Sequence, residues 1–197
     1  MPRPLLLALL ATAVLVWLYG AMDTVAYADT GVQYYVPMAE ASPGLDLTQN
    51  QPYVFRWLGP WLVGLLPVDP VLGFTLLAVL AALALAGLAY AVFRADGRSP
   101  EASALTAVLL AMNPYLFGFN VFNMVQLDDV IAQLALGVGL LLLWTRRYVA
   151  LGALMAVAVL AREPAILMLP VAAVWLWEHG RLRADGWRVA LAFVPLV

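Results

Sequence analysis

Between Pro70 and Phe93 the chain carries no charged side chain, and the apolar run around it reads as Val68–Phe93. A soluble helix keeps its apolar residues to one stripe. Here they occupy every face, so lipid or neighbouring helices have to cover them. Further apolar segments read as Pro4–Met22, Ala102–Phe119, Val130–Thr145, Tyr148–Ala161 and Pro164–Trp177, with a last run beginning near Val189. Helices are the form expected, because a backbone in hydrocarbon must satisfy its own hydrogen bonds. The fourth and fifth segments are short against the ~20 residues that cross ~30 Å of hydrocarbon. The expected fold is all-α, a polytopic transmembrane helical bundle.

Composition agrees, with 65% of residues hydrophobic and 11% charged, far from the balance of a soluble domain. The absence of cysteine excludes disulfides, thiolate metal sites and a Cys nucleophile. His179 is the single histidine and lies in the polar stretch "EHGRLRADGWR", so it reads as a loop residue and a multi-histidine metal centre is excluded. Nucleic-acid binding has no support, since the arginines are few and spread over separate turns. No Gly-rich strand-to-helix turn suggests a dinucleotide fold either.

Charge placement gives the segments a sidedness. If Arg3 lies in the cytoplasm and every segment crosses, the inner stretches hold Arg94, Arg98, Arg146, Arg147, Arg181, Arg183 and Arg188 as well. That is the positive-inside pattern. The outer side keeps only Arg56 and Arg162 against Asp23, Asp29, Glu40, Asp46, Asp69, Asp128, Asp129 and Glu163. "VAYAD" offers an A-x-A cleavage pattern at Ala26 and Ala28, but the apolar run before it exceeds the roughly 7–15 residues of a signal-peptide core. It reads as a retained first helix with a cytoplasmic N-terminus. The final run, "VALAFVPLV", is too short to span. The expectation is therefore a single transmembrane domain, 1–197, forming the N-terminal part of a longer chain.

The first outward loop, about 23–67, is too long for a simple connector. "GVQYYVPMAEA" suits a short amphipathic helix at the interface, and Tyr53–Leu66 a second, with Tyr and Trp at headgroup level. Asp23 and Asp29 stand just beyond the first helix, where a carboxylate can accept a proton from a hydroxyl or help hold a divalent cation. The alternative is that Asp23 merely ends the first helix and both acids stand solvated. Asp128 and Asp129, at the start of the fourth segment, are more than one helix cap needs. Arg162 and Glu163 lie between two apolar segments, where unpaired charge is costly, and as sequence neighbours they point to different faces. Each is expected to have a partner elsewhere. Arg56, in "QPYVFRWLGPWLVGLLP", is suited to a phosphate by its bidentate fork, or to stacking on Tyr53 or Trp57 or pairing with an acid of its own loop.

Asp29 within "YADTGVQYYVPMAEA", then "PYVFRWLGPWLVGLLP", "QLDD" at Gln126–Asp129 and "AREPAILMLP" at Arg162–Pro170 together form an arrangement that resembles the N-terminal half of the polytopic GT-C glycosyltransferases. The resemblance spans most of the chain and rests on arrangement rather than on a strict signature. It implies transfer of a sugar from a polyprenyl-phosphate-linked donor to a lipid, glycan or protein acceptor on the outer face of the membrane, here the bacterial inner membrane. It also implies a catalytic base or metal ligand in the first loop, falling on Asp29 with Asp23 second. Arg56 and Arg162 become the donor-phosphate residues, with Asp128, Asp129 and Glu163 as supporting acids. A divalent cation would draw on Asp29, Asp128 and Asp129. The rival classes are a transporter or channel subunit, another lipid-linked glycan enzyme such as a polymerase or ligase, and a non-catalytic membrane scaffold. A transporter would place its charges mid-helix around a central path, whereas these lie at helix ends.

Overall fold

The computed structural model describes residues 2–193, and for residues 30 and 191–193 the backbone alone. Every element among them is helical. α1 (Arg3–Tyr19) starts on a proline-bearing first turn and ends at Gly20, whose φ of 70° turns the chain out of the helix three residues before the sequence reading ends it. α4 (Pro70–Ala95) is capped by Asp69, whose side chain accepts from the Val71 and Leu72 N–H groups. Between them lie α2 (Val32–Glu40) and α3 (Leu58–Gly64). Beyond α4 come α5 (Pro100–Ala111), α6 (Phe119–Phe122), α7 (Leu127–Trp144), α8 (Tyr148–Ala161), α9 (Met168–Glu178) and α10 (Leu182–Phe193).

α4 is the hub, packed against α1, α5 and α7. The reason is visible at four-residue spacing: Phe74, Ala78, Ala82, Ala86 and Tyr90 are all buried, and so are Ser103, Ala107 and Ala111 on α5. Small residues on successive turns let backbones approach closely where water supplies no drive for association. The outward side is the reverse of a soluble protein. Leu72, Leu76 and Leu80 of α4 and Leu7, Leu10, Val14 and Trp17 of α1 are exposed, and such a surface is covered in a membrane protein by lipid.

Two helical stretches, Pro70–Ala95 and Met124–Trp144, are long and apolar enough to cross a membrane. The pair Pro100–Ala111 and Pro114–Phe122 makes a third if counted as one span, bent by 65°. α1 and α8 are apolar but shorter.

Several boundaries differ from the sequence reading for local reasons. The segment read as Ala102–Phe119 breaks at Asn113, because the residue before a proline is pushed out of the α region and the Asn113 side chain caps the following π-helical turn, Pro114–Gly118. Tyr53–Leu66 is not one helix. It is a 3-10 turn, Tyr53–Phe55, and then α3, interrupted at Arg56 with φ −110° and ψ 63°. Part of the polar stretch after α9 is helical, because α10 starts at Leu182 and Asp185 is buried between Arg181 and Arg188 on its own helix face. Of the final run, 194–197 lie outside the described residues.

The first loop does not simply lie flat. Tyr35, Met38 and Ala39 of α2 and Val63 of α3 are buried against Phe74 and Ala78 of α4 and against Met124, Val125 and Leu127. The two short helices cross so closely that a Cβ on Gly64 would collide with the Ala39 carbonyl oxygen. The loop is thus a folded cap over one end of the bundle, and the cap determines which side chains can meet there.

Candidate functional site

Asp128 is on the first turn of α7, yet its side chain does not cap that helix. It accepts a 2.7 Å hydrogen bond from the Gly59 N–H, the second residue of α3, and is 1% exposed. A side chain from a long helix therefore caps the short one in the loop by accepting from an N–H of its first turn. Only glycine fits at 59, because a Cβ there would lie 2.7 Å from Asp128 Oδ1. The second carboxylate oxygen, Oδ2, is buried with no hydrogen-bond partner.

Asp129, one residue on, turns to a different face and pairs with Arg162. Glu163 pairs with Arg56, Oε2 lying 3.4 Å from Nη2. The adjacent charges Arg162 and Glu163 thus each find a partner far away in sequence, at the start of α7 and in the first loop. Arg56 is held by the break between Phe55 and Leu58, and its Nε is buried without a hydrogen-bond partner. Partial burial works against its charge, but Glu163 and then Tyr35 outweigh this and hold the guanidinium above its ordinary value. Tyr35 is pushed up to about 12, chiefly by burial and then by the Asp128 carboxylate, with Arg56 pulling the other way. Tyr34 stacks on Tyr53 with ring centroids 4.1 Å apart, and Tyr35 meets the same ring edge-on at 5.4 Å.

Beside this cluster a groove of about 440 Å3 runs between Leu47, Val54, Phe55 and Trp57 of the loop and Val159, Leu160 and Glu163 at the end of α8. Its walls are apolar and its charged member is Glu163, the partner of Arg56.

The structure therefore brings Arg56, Asp128, Asp129, Arg162 and Glu163 to one end of the bundle. Asp29 and Asp23 stand apart from these ion pairs. Asp29 is exposed on a 3-10 turn, Ala28–Thr30, just before α2. Asp23 is exposed and uses Oδ1 to accept from the Val25 and Ala26 N–H groups, which closes a local turn beyond the end of α1. The divalent-cation set Asp29, Asp128 and Asp129 is not gathered. Among the described residues no three His, Asp or Glu side chains form a group that could hold a metal. The reason is that Asp128 is committed to Gly59 and Asp129 to Arg162. Tyr35 and Gly59 belong to the site without having been read as candidates. The Gly59-Pro60 pair between two tryptophans was the available signal, since such a dipeptide marks a special backbone position.

Compared with known proteins, the chain matches no family model, no curated protein and no solved structure. Fold and site together define an all-helical protein with helices suited to a membrane and a compact charged cluster at one end, beneath a folded loop.

Proposed function

We propose that the chain is a polytopic membrane protein of GT-C type, which transfers a sugar from a polyprenyl-phosphate-linked donor to a lipid, glycan or protein acceptor on the outer face of the bacterial plasma membrane. Its N-terminus lies in the cytoplasm. One observation carries this reading: Arg56, with an unpartnered buried Nε, pairs with Glu163, which lines an apolar groove at the end of the bundle. A polyprenyl-phosphate sugar has those two parts, a long apolar chain and an anionic phosphodiester head.

In this reading the chain lies in the groove and the phosphate takes the guanidinium fork of Arg56, displacing Glu163, with Arg162 as the second cation. Such charge-assisted bonds strengthen as phosphate leaves and gains charge. The acceptor oxygen forms its bond to the sugar's anomeric carbon as the carbon–oxygen bond to phosphate breaks. The acceptor proton passes to Asp29, whose exposure leaves it free for an acceptor hydroxyl. Asp128 and Asp129 position the loop and Arg162 respectively.

Charges gathered at one end, rather than along a path between helices, favour an enzyme over a transporter. The test is transfer by the protein in liposomes containing a polyprenyl-phosphate sugar. Loss of transfer in Asp29→Asn at unchanged membrane abundance supports the assignment, and full activity in that variant overturns it.

A further inference from the structure

At the α7–α8 turn, far from the cluster just described, lies a second cavity of about 530 Å3. Arg146, Arg147 and Arg188 line it together with Tyr148, Val149, Ala150 and Ala153. Sidedness explains why arginines occupy such turns, but not why three of them border one cavity.

The local backbone makes the placement more specific. α7 ends in a turn in which the Arg147 N–H donates to the Leu142 carbonyl and the Arg146 N–H to the Leu143 carbonyl. That pattern wants a left-handed residue, nearly always glycine. Here it is Arg146, with φ 59°. An arginine at a position where glycine would relax the backbone points to a use for its side chain. α8 follows at once with no side-chain cap on its first turn, and such a helix start favours anions. The Tyr148 hydroxyl is buried and stands close enough to Arg181 to favour its charge. Asp185 engages Arg181 at 2.6 Å and Arg188 at 3.4 Å. Among the described residues Arg146 and Arg147 have no acidic partner.

We propose that this cavity binds the phosphodiester head group of an anionic membrane phospholipid. The acyl chains run along the apolar wall formed by Val149, Ala150 and Ala153. Val149 is 79% exposed, which suits contact with lipid better than a site for a soluble anion. Basic recesses between helix ends on the arginine-rich side hold such head groups by charge and hydrogen bonding. The site rests on the membrane placement of the chain and is independent of the transferase reading.

The test uses the full chain in a neutral detergent, with its thermal midpoint followed by tryptophan fluorescence. Added dioleoyl-phosphatidylglycerol should raise the midpoint by roughly 5 °C near saturation, while dioleoyl-phosphatidylcholine should not. Arg147→Gln with Arg188→Gln should remove most of that rise. If this variant does not fold, Arg146→Gly decides, because glycine relaxes the left-handed turn. Its midpoint without lipid should hold or increase while its response to phosphatidylglycerol shrinks. Equal responses to the two lipids, or an undiminished response in the variants, overturn the proposal. So does inorganic phosphate that reproduces the full rise, which would assign the cavity to a soluble anion.

Discussion

The Asp128 carboxylate of α7 receives the Gly59 N–H of α3 at 2.7 Å, in a position where glycine is the only residue that leaves room for it. Asp128→Ala leaves that N–H without an acceptor and is expected to lower stability by about 1–3 kcal/mol. Asp128→Asn keeps an acceptor oxygen and should cost less. Thermal unfolding in detergent ranks the two, and an Ala variant as stable as the parent would show that the loop is held by apolar packing alone.

Gly59→Ala attacks the same contact from the other side. The added methyl meets the carboxylate at 2.7 Å, and overpacking of this kind costs about 1–3 kcal/mol. Combined with Asp128→Ala, the methyl no longer meets the carboxylate, so the two penalties should be less than additive. Simple additivity in a double-mutant cycle would contradict direct contact.

The two ion pairs should differ in strength. Arg162 and Asp129 are 27% and 20% exposed, whereas Glu163, facing Arg56, is 48% exposed. Coupling energies from double-mutant cycles should be about 2 kcal/mol for the first pair and under about 1 kcal/mol for the second. The weaker pair is the one that a donor phosphate has to open, so the reverse order would count against the proposed binding mode.

Arg56→Lys retains the charge and loses the planar fork. Donor affinity, measured by titration with a polyprenyl phosphate, is expected to fall about tenfold, a change equivalent to about 1.4 kcal/mol, with the fold intact. An unchanged affinity would leave Arg56 with a purely structural task.

Tyr35 gives a pH signature. Folding moves its pKa from 10.0 to about 12, so the native state holds the proton more tightly than the unfolded chain. The stability linked to this proton is fully present below pH 10.0 and is lost as pH rises toward about 12. Ultraviolet titration should show a late tyrosine ionisation that Tyr35→Phe abolishes. A Phe variant with an unchanged titration curve would disprove the assignment.

The helices themselves were largely legible from the chain. Tyr148–Ala161 has the same limits in the sequence reading and in the structure, because charged residues bound it on both sides and composition alone sets the segment. Arg56 was harder. Tyr53–Leu66 has the residues of a continuous interfacial helix, and only the tertiary fit of α3 beneath Asp128 explains why the helix stops and restarts around the arginine. Adjacent acids posed a similar problem. Residues one apart on a helix diverge by about 100°, so Asp128 goes inward to Gly59 and Asp129 sideways to Arg162, and the direction of each depends on which neighbour arrives. Asp23 and Asp29 both follow the first helix closely in sequence, yet one closes a turn and the other remains open to solvent.

Arg56 meets Glu163 across 107 positions of sequence, and Gly59 meets Asp128 across 69. A chain made from its N-terminus therefore produces the first loop long before any of the charges that hold it. The loop has to wait, first for α7 to bring the acceptor for Gly59 and then for the end of α8 to bring Arg162 and Glu163. Assembly of the cluster is thus a late event in the birth of the protein, and a chain interrupted before α8 would have the loop but not the site.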